Sequence, residues 1–186
     1  MIKLFSTALF AMVTVFTVNA QVVFKSKPEA SSISFFSKAT MEDIDAVNKR
    51  LSVVLRPATN DILFGVTMTG FKFKSALMET HFNETYVESD KFPTCIFKGK
   101  VIDKIDYLKD GENKVTVKGT MELHGVTKEI EATGTITIIG KEIHVLSVFK
   151  IKLADFKIEV PSNKLTSIAE VIDITVDATL IEIIKK

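Results

Sequence analysis

The chain has 186 residues, with 24 Lys and Arg against 23 Asp and Glu, three His, one Cys and no Trp. This length suits one domain with a substantial hydrophobic core. The charge balance excludes the concentrated basic surface that a nucleic-acid partner requires, and the single cysteine, Cys95, excludes an intrachain disulfide.

The first 20 residues, MIKLFSTALFAMVTVFTVNA, read as a signal peptide. A charged start at Lys3 precedes an apolar run from Leu4 to Val18, and small residues at the exit, ending in Ala20, suit cleavage. The run is shorter than the ~20 residues of a membrane span. We therefore divide the chain into a signal peptide, 1–20, and one mature domain, 21–186, periplasmic or secreted after cleavage following Ala20. Lys3 is the only charge removed, so 24 basic residues become 23, matched by 23 acidic ones. No cysteine near residue 20 could carry a lipid anchor, so the mature protein is expected to be soluble and not an integral membrane protein.

From there a period of two dominates, the pattern of strands with one buried face. Ile33 and Phe35 lead a first strand. Leu51, Val53 and Leu55 form a second, and Ile62, Phe64, Val66 and Met68 a third. Cys95, Phe97, Gly99 and Val101 mark a fourth. Val115 to Leu123 and Ile130 to Ile138 form the fifth and sixth, Val145 to Leu153 the seventh, and Ile172 to Leu180 the eighth. Eight strands with short connections predict a closed antiparallel barrel, which leaves no free edges and can hold one small ligand. A two-sheet sandwich is the structural alternative.

Two short helices are expected to interrupt the strands. One runs from Thr40 to Val47, with Thr40 as N-cap. The other runs from about Ser75 to Glu88, with Met78, Phe82 and Tyr86 on one apolar face that would cover a mouth of the barrel.

The stretch VTVKGTMELHGVTKEIEATGTITI, residues 115–138, reads as a hairpin. With Gly125 to Lys128 as the connection, Leu123 meets Ile130, Met121 meets Ala132, and Gly119 meets Gly134. His124 then falls on the polar face as a solvated turn residue. The paired inward glycines remove volume from the interior, or let the strands bend.

Catalytic chemistry is hard to find. His81 and Glu84 have a spacing that could hold a metal, but no third ligand completes a site, so neither a metal nor a cofactor is expected. Cys95 lies on the apolar phase of its strand and reads as a buried thiol. His144 lies on the outward phase, and no nucleophile elbow, phosphate loop or zinc-protease motif is present. What remains is an interior rich in Phe and Met, since 11 of the 14 Phe lie in the mature domain.

Several motifs resemble the YceI-like family of exported, lipocalin-like proteins. They are Tyr86-x-x-Ser89-x-x-Phe92-Pro93, Phe97-Lys98-Gly99, Gly119-Thr120-x-x-Leu123-His124-Gly125-Val126-Thr127-Lys128, and Phe149-x-Ile151 with Asp155. The resemblance covers most of the mature chain. It implies an all-β, eight-stranded antiparallel lipocalin-like barrel, with one or two short helices covering an end, whose tunnel binds a polyisoprenoid chain. Many family members carry an early Asp-x-x-His-Ser element. Here the region reads Lys27-Pro28-Glu29-Ala30-Ser31-Ser32-Ile33, without histidine, so the contacts of those side chains do not transfer.

The leading expectation is a carrier for a polyisoprenoid or another long apolar ligand. Its expected lining is Phe35, Phe64, Val66, Met68, Phe97, Phe149 and Ile151, with Gly119 and Gly134 making room and Met78 and Phe82 near the mouth. One alternative is an enzyme acting on a lipid or quinone-like substrate through His81, Glu84 or Tyr86. Another is an interaction module with a packed core and no ligand. An outer-membrane barrel is a third, opposed by the absence of Trp, the presence of only two Tyr, and the ending Ile184-Lys185-Lys186. A homodimer through an exposed strand is left open.

Overall fold

In the computed structural model, which describes residues 22–39, 42–160 and 169–184, the alternation resolves into ten antiparallel strands. Residues 1–20, expected to be a signal peptide, lie outside the described residues. The strands are β1 (Val22–Ser37), β2 (Ile44–Asn48), β3 (Leu51–Arg56), β4 (Asp61–Thr67), β5 (Phe71–Phe73), β6 (Thr94–Val101), β7 (Gly111–Leu123), β8 (Val126–Ile139), β9 (Glu142–Lys152) and β10 (Val171–Ile184). Eight of them close a barrel in the order β1-β3-β4-β6-β7-β8-β9-β10, with β10 returning to β1. These are the eight strands expected from the alternation.

Strands β2 and β5 are the additions, and they shape one end. Strand β1 pairs with β3 only at Phe24 and Lys25. The Oγ of Ser26 then continues the contact, accepting from Val53 N at 3.0 Å and donating to Leu51 O at 3.3 Å. Next comes a bulge. Ser26 pairs with Leu180 but Ser31 with Ala178, so Lys27–Ala30 stands opposite Thr179 alone, at a site where Pro28 has no N–H to donate. Beyond the bulge β1 turns to β2, and β2 pairs in turn with β5. The barrel is flared at this end by two extra short strands.

The expected helix at Thr40–Val47 is therefore corrected. Thr40 lies outside the described residues, and Ile44–Asn48 is a strand. Ala46 and Asn48 are buried inward at 1% and 0% exposure, and Asp45 points out. Tertiary pairing overrides a weak local helical pattern here. Asn48 can be buried because both ends of its amide are used: Nδ2 donates to Thr67 O at 2.8 Å, and Oδ1 accepts from Arg50 N at 2.8 Å.

The second expected helix is present in shorter form. α1 (Ala76–His81) is capped by Ser75, whose Oγ accepts from Met78 N at 3.5 Å. It runs into one π-helical turn, Phe82–Tyr86.

The hairpin has the expected faces but another register. Leu123 pairs with Val126, Val117 with Ala132, Gly119 with Ile130, and Val115 with Gly134. The turn is His124-Gly125 alone, both residues with positive φ, 52° and 70°, the two-residue connection that matches strand twist. Each β7 residue meets a partner four positions earlier than expected. An even shift keeps every side chain on its own face, so alternation cannot detect it.

His124 is not solvated, and its side chain is only 11% exposed. Its Nδ1 contacts Phe156 O at 3.1 Å, its Nε2 contacts Glu88 Oε2 at 3.2 Å, and its ring stacks edge-on against Phe92 with centroids 4.6 Å apart. It joins the hairpin tip, the segment after α1 and the turn after β9. Glu88 also pairs with Lys91. The Lys91 hydrogen bond, then that of His124, holds the Glu88 carboxyl below the usual glutamate range. Replacing His124 by Ala should cost about 2–4 kcal/mol, from lost packing and an unpartnered Phe156 carbonyl. A thermal melt should fall by roughly 5–15 °C, and a shift under about 2 °C would contradict this role.

The barrel interior is solid at one end only. Val53, Leu55, Ile143, Ala178 and Leu180 are at 0% exposure, and Ile136 and Ile138 at 1% and 2%. All sit toward the end opposite α1. At the α1 end, inward-phase residues such as Ile33, Cys95 and Phe149 remain half-exposed, because the space they face is hollow.

The outer wall mixes ion pairs with exposed apolar side chains, among them Phe36, Leu146 and Val148. Lys118 pairs with Glu131 at 2.8 Å, Lys100 with Asp61 at 3.0 Å, His144 with Asp177 at 2.8 Å, and Lys150 with Asp173. Among the described residues no helix is long and apolar enough to cross a membrane.

Candidate ligand cavity

The hollow end encloses about 710 Å³, within the range of roughly 300–1,000 Å³ typical of small-molecule sites. Strands β1, β7, β9 and β10 form its walls through Phe35, Met121, Leu123, Phe149, Ile151, Ile172 and Ile174. Strands β2 and β5 add Ile44, Phe71 and Phe73, and the α1 segment covers the mouth with Leu77, Met78 and Phe82. A second space of about 80 Å³ lies deeper. Ile33, Val66, Cys95, Met121 and Phe149 line both, so the two chambers meet at a waist made by these side chains.

Four phenylalanines hold the covering segment in place. Phe82, just after α1, lies 5.6, 5.5 and 5.0 Å from the ring centroids of Phe35, Phe71 and Phe73. Such offset and edge-on pairs stabilise beyond their buried area. α1 itself contributes no buried residue, and Leu77 is 63% exposed. Lys72 of β5 donates to Glu79, and that hydrogen bond is the main cause of a Glu79 carboxyl below its usual range.

The residues expected from the sequence fall into three places. Phe35, Val66, Met68, Met78, Phe82, Phe149 and Ile151 line the large chamber. Phe64, Phe97 and Gly134 line only the inner one. Gly119 lines neither, and this corrects the idea that it empties the interior. A Cβ there would stand 2.2 Å from Lys98 O and 2.4 Å from Gly99 Cα, and Gly99 is its direct partner on β6. Gly119 lets two strands approach.

Sequence reasoning missed Phe71 and Phe73, although their alternation with Lys72 and Lys74 carried the signal. It also missed Ile44, through the mistaken helix. Ile172 and Ile174 were read as inward but not assigned to the lining.

Burial pushes the Cys95 thiol up to about 12, with the Glu122 charge a lesser cause. Cys95 of the native protein should therefore react with a disulfide reagent at pH 8 roughly a hundredfold or more slowly than in urea. Equal rates would contradict a thiol shielded inside the barrel. His81 and Tyr86 lie at the mouth, with no hydrogen bond among the described residues joining them to Glu84. No group of three metal-binding side chains occurs among the described residues.

A closed eight-stranded barrel, packed at one end and hollow and apolar at the other, defines a lipocalin-like binding barrel. The chain belongs to the YceI-like family, whose domain model matches residues 17–180. A search of curated proteins by sequence gave no match. Solved structures share the fold. A domain from Saccharophagus degradans, described as polyisoprenoid binding and implicated in plant cell wall breakdown, is 14% identical with a TM-score of 0.72, covering 88% of this chain and 99% of its own. Burkholderia cenocepacia BcnA is 15% identical with a TM-score of 0.70, covering 83% and 98%. The Campylobacter jejuni YCEI protein is 18% identical with a TM-score of 0.55, covering 97% and 94%.

Proposed function

We propose that this protein is an exported, soluble carrier that holds one isoprenoid or similar amphiphilic lipid in its barrel. The observation that carries this reading is the apolar chamber of about 710 Å³ at the α1 end. At about 30 Å³ per water-sized group it takes roughly 24 heavy atoms, the size of a four-unit prenyl chain with a small head. Burying 20 carbons is favourable by at most about 16 kcal/mol, before ordering costs are subtracted.

The membership in the YceI-like family and the polyisoprenoid-binding description of the Saccharophagus relative support the ligand class. The leader-like first 20 residues support a periplasmic or secreted location, with cleavage after Ala20. Equilibrium binding of a radiolabelled 20-carbon prenyl alcohol to delipidated protein tests the reading. Saturation at one molecule per chain is expected, and absence of saturable binding would contradict it.

A further inference from the structure

Strands β8 and β9 form a regular ladder and then part. Their pairing runs in one unbroken register from Ile139 with Glu142 to Gly134 with Ser147. There it stops, although β8 reaches back to Val126 and β9 runs on to Lys152. Each strand keeps its other neighbour along this length: Val126 to Thr133 stay paired with β7, and Val148 to Lys152 with β10. The wall is forked between two intact pairs of strands. At the fork Ser147 Oγ donates to Thr133 O at 2.7 Å. Gly134 permits the close approach there, since a Cβ would stand 2.6 Å from Leu146 O. At the far end the turn Leu153–Phe156 packs back on β8, and Phe156 O contacts His124 Nδ1 at 3.1 Å. The result is a slit bounded at both ends. Ile130, Ala132 and Phe149 on its edges line the inner chamber, and Phe149 and Ile151 the large one.

The two edges are complementary in sequence. Continuing the ladder in its own register would set Ala132 against Phe149 and Ile130 against Ile151 on the inner face. On the outer face it would set Glu131 against Lys150 and Glu129 against Lys152. Apolar meets apolar and acid meets base, and neither 129–133 nor 148–152 contains Pro or Gly. In the parted form Glu131 pairs instead with Lys118, and Lys150 with Asp173. Such exposed ion pairs exchange at small cost, and ladder bonds given up to water are a modest net loss. We propose that this slit is the ligand's entrance: the strands part to pass a flexible hydrocarbon chain sideways into the barrel, and zip in this register to retain it. The route rests on the carrier reading and adds to it how the chamber fills. A chain crossing here meets Ile130, Ala132, Phe149 and Ile151 and enters both chambers at once.

The test is a reversible staple, Glu131→Cys with Lys150→Cys, in delipidated mature protein, with radiolabelled geranylgeraniol as the probe. A disulfide needs Cα atoms about 4.4–6.8 Å apart, so this one forms only when the slit zips. Thr137→Cys with His144→Cys, a pair within the intact ladder, is the control. Oxidised before loading, the slit staple should slow uptake at least about tenfold, and oxidised after loading it should slow release by about as much. A reductant should restore both rates, and the control staple should change neither. Rates that the slit staple leaves unchanged would overturn the entrance. So would expulsion of a loaded chain on oxidation, which would mean that zipping removes the site instead of sealing it. A disulfide that forms neither here nor in Glu129→Cys with Lys152→Cys would show that the strands do not zip, and would overturn it as well. In each of these cases saturable binding by the reduced protein leaves the carrier reading intact. Absence of saturable binding by the reduced protein would overturn the carrier reading, and this route with it.

Discussion

Replacing Gly119 by alanine is expected to lower stability by about 3 kcal/mol or more, a loss far beyond an ordinary single-methyl change in a strand. The reason is local geometry. Gly119 on β7 faces Gly99 on β6, and a Cβ at Gly119 would lie 2.2 Å from Lys98 O, 2.4 Å from Gly99 Cα and 2.8 Å from the Lys98 carbonyl carbon. These neighbours are backbone, so no side chain can swing away, and accommodation means parting two hydrogen-bonded barrel strands. In a chain of this size the melting temperature should fall by roughly 6–12 °C. Gly65→Ala is the control. A Cβ there meets only Ser52 Cβ, at 4.0 Å, and its melt should stay within about 2 °C of the parent. A Gly119→Ala protein melting with the control would show that the close approach is not required.

The second large effect concerns ligand. Val66 on β4 lines both chambers, so Val66→Trp places an indole across the waist. Losing room for five carbons removes at most about 4 kcal/mol of hydrocarbon transfer, close to a thousandfold in affinity. The loss should grow with chain length: a 20-carbon prenyl alcohol, which fills the large chamber, should be hurt more than a 10-carbon one, which leaves room to spare. The variant's own fold is separated from its binding by a melt within about 5 °C of the parent. Unchanged affinity for the long chain in a folded variant would mean that ligand does not occupy the barrel interior.

Much of the barrel was legible because period-two alternation encodes which face is inside, and β3, β4, β6 and β10 carry it without interruption. Register is another kind of information. The β7–β8 pairing moved by four residues with every face unchanged, and what decides it is the positive-φ pair His124-Gly125. Strand β2 was hidden because Thr40 with Asp43 imitates a helix cap, while its strand partners, β1 and β5, lie elsewhere in the chain. β5 itself is three residues long, so the alternation of Phe71 and Phe73 with Lys72 spans a single repeat, easily passed over.

For the candidate site, Phe35, Val66, Phe149 and Ile151 could be named from phase alone. The role of Gly119 could not, since its constraint comes from Lys98 and Gly99 on another strand. His124 was misplaced for the same reason: its partners Glu88, Phe92 and Phe156 come from distant segments that converge only in the folded chain. The choice between a packed core and a cavity was beyond composition because both are true of this barrel, one at each end.

The carrier reading meets its most direct test in native mass spectrometry, with lipid extraction, of mature protein purified from its own compartment. The expected result is one lipid per chain, with a prenyl or similar hydrocarbon tail of about 20 carbons, the length the chamber takes. Protein recovered without lipid, and unable to take up such a chain when it is offered, would contradict it.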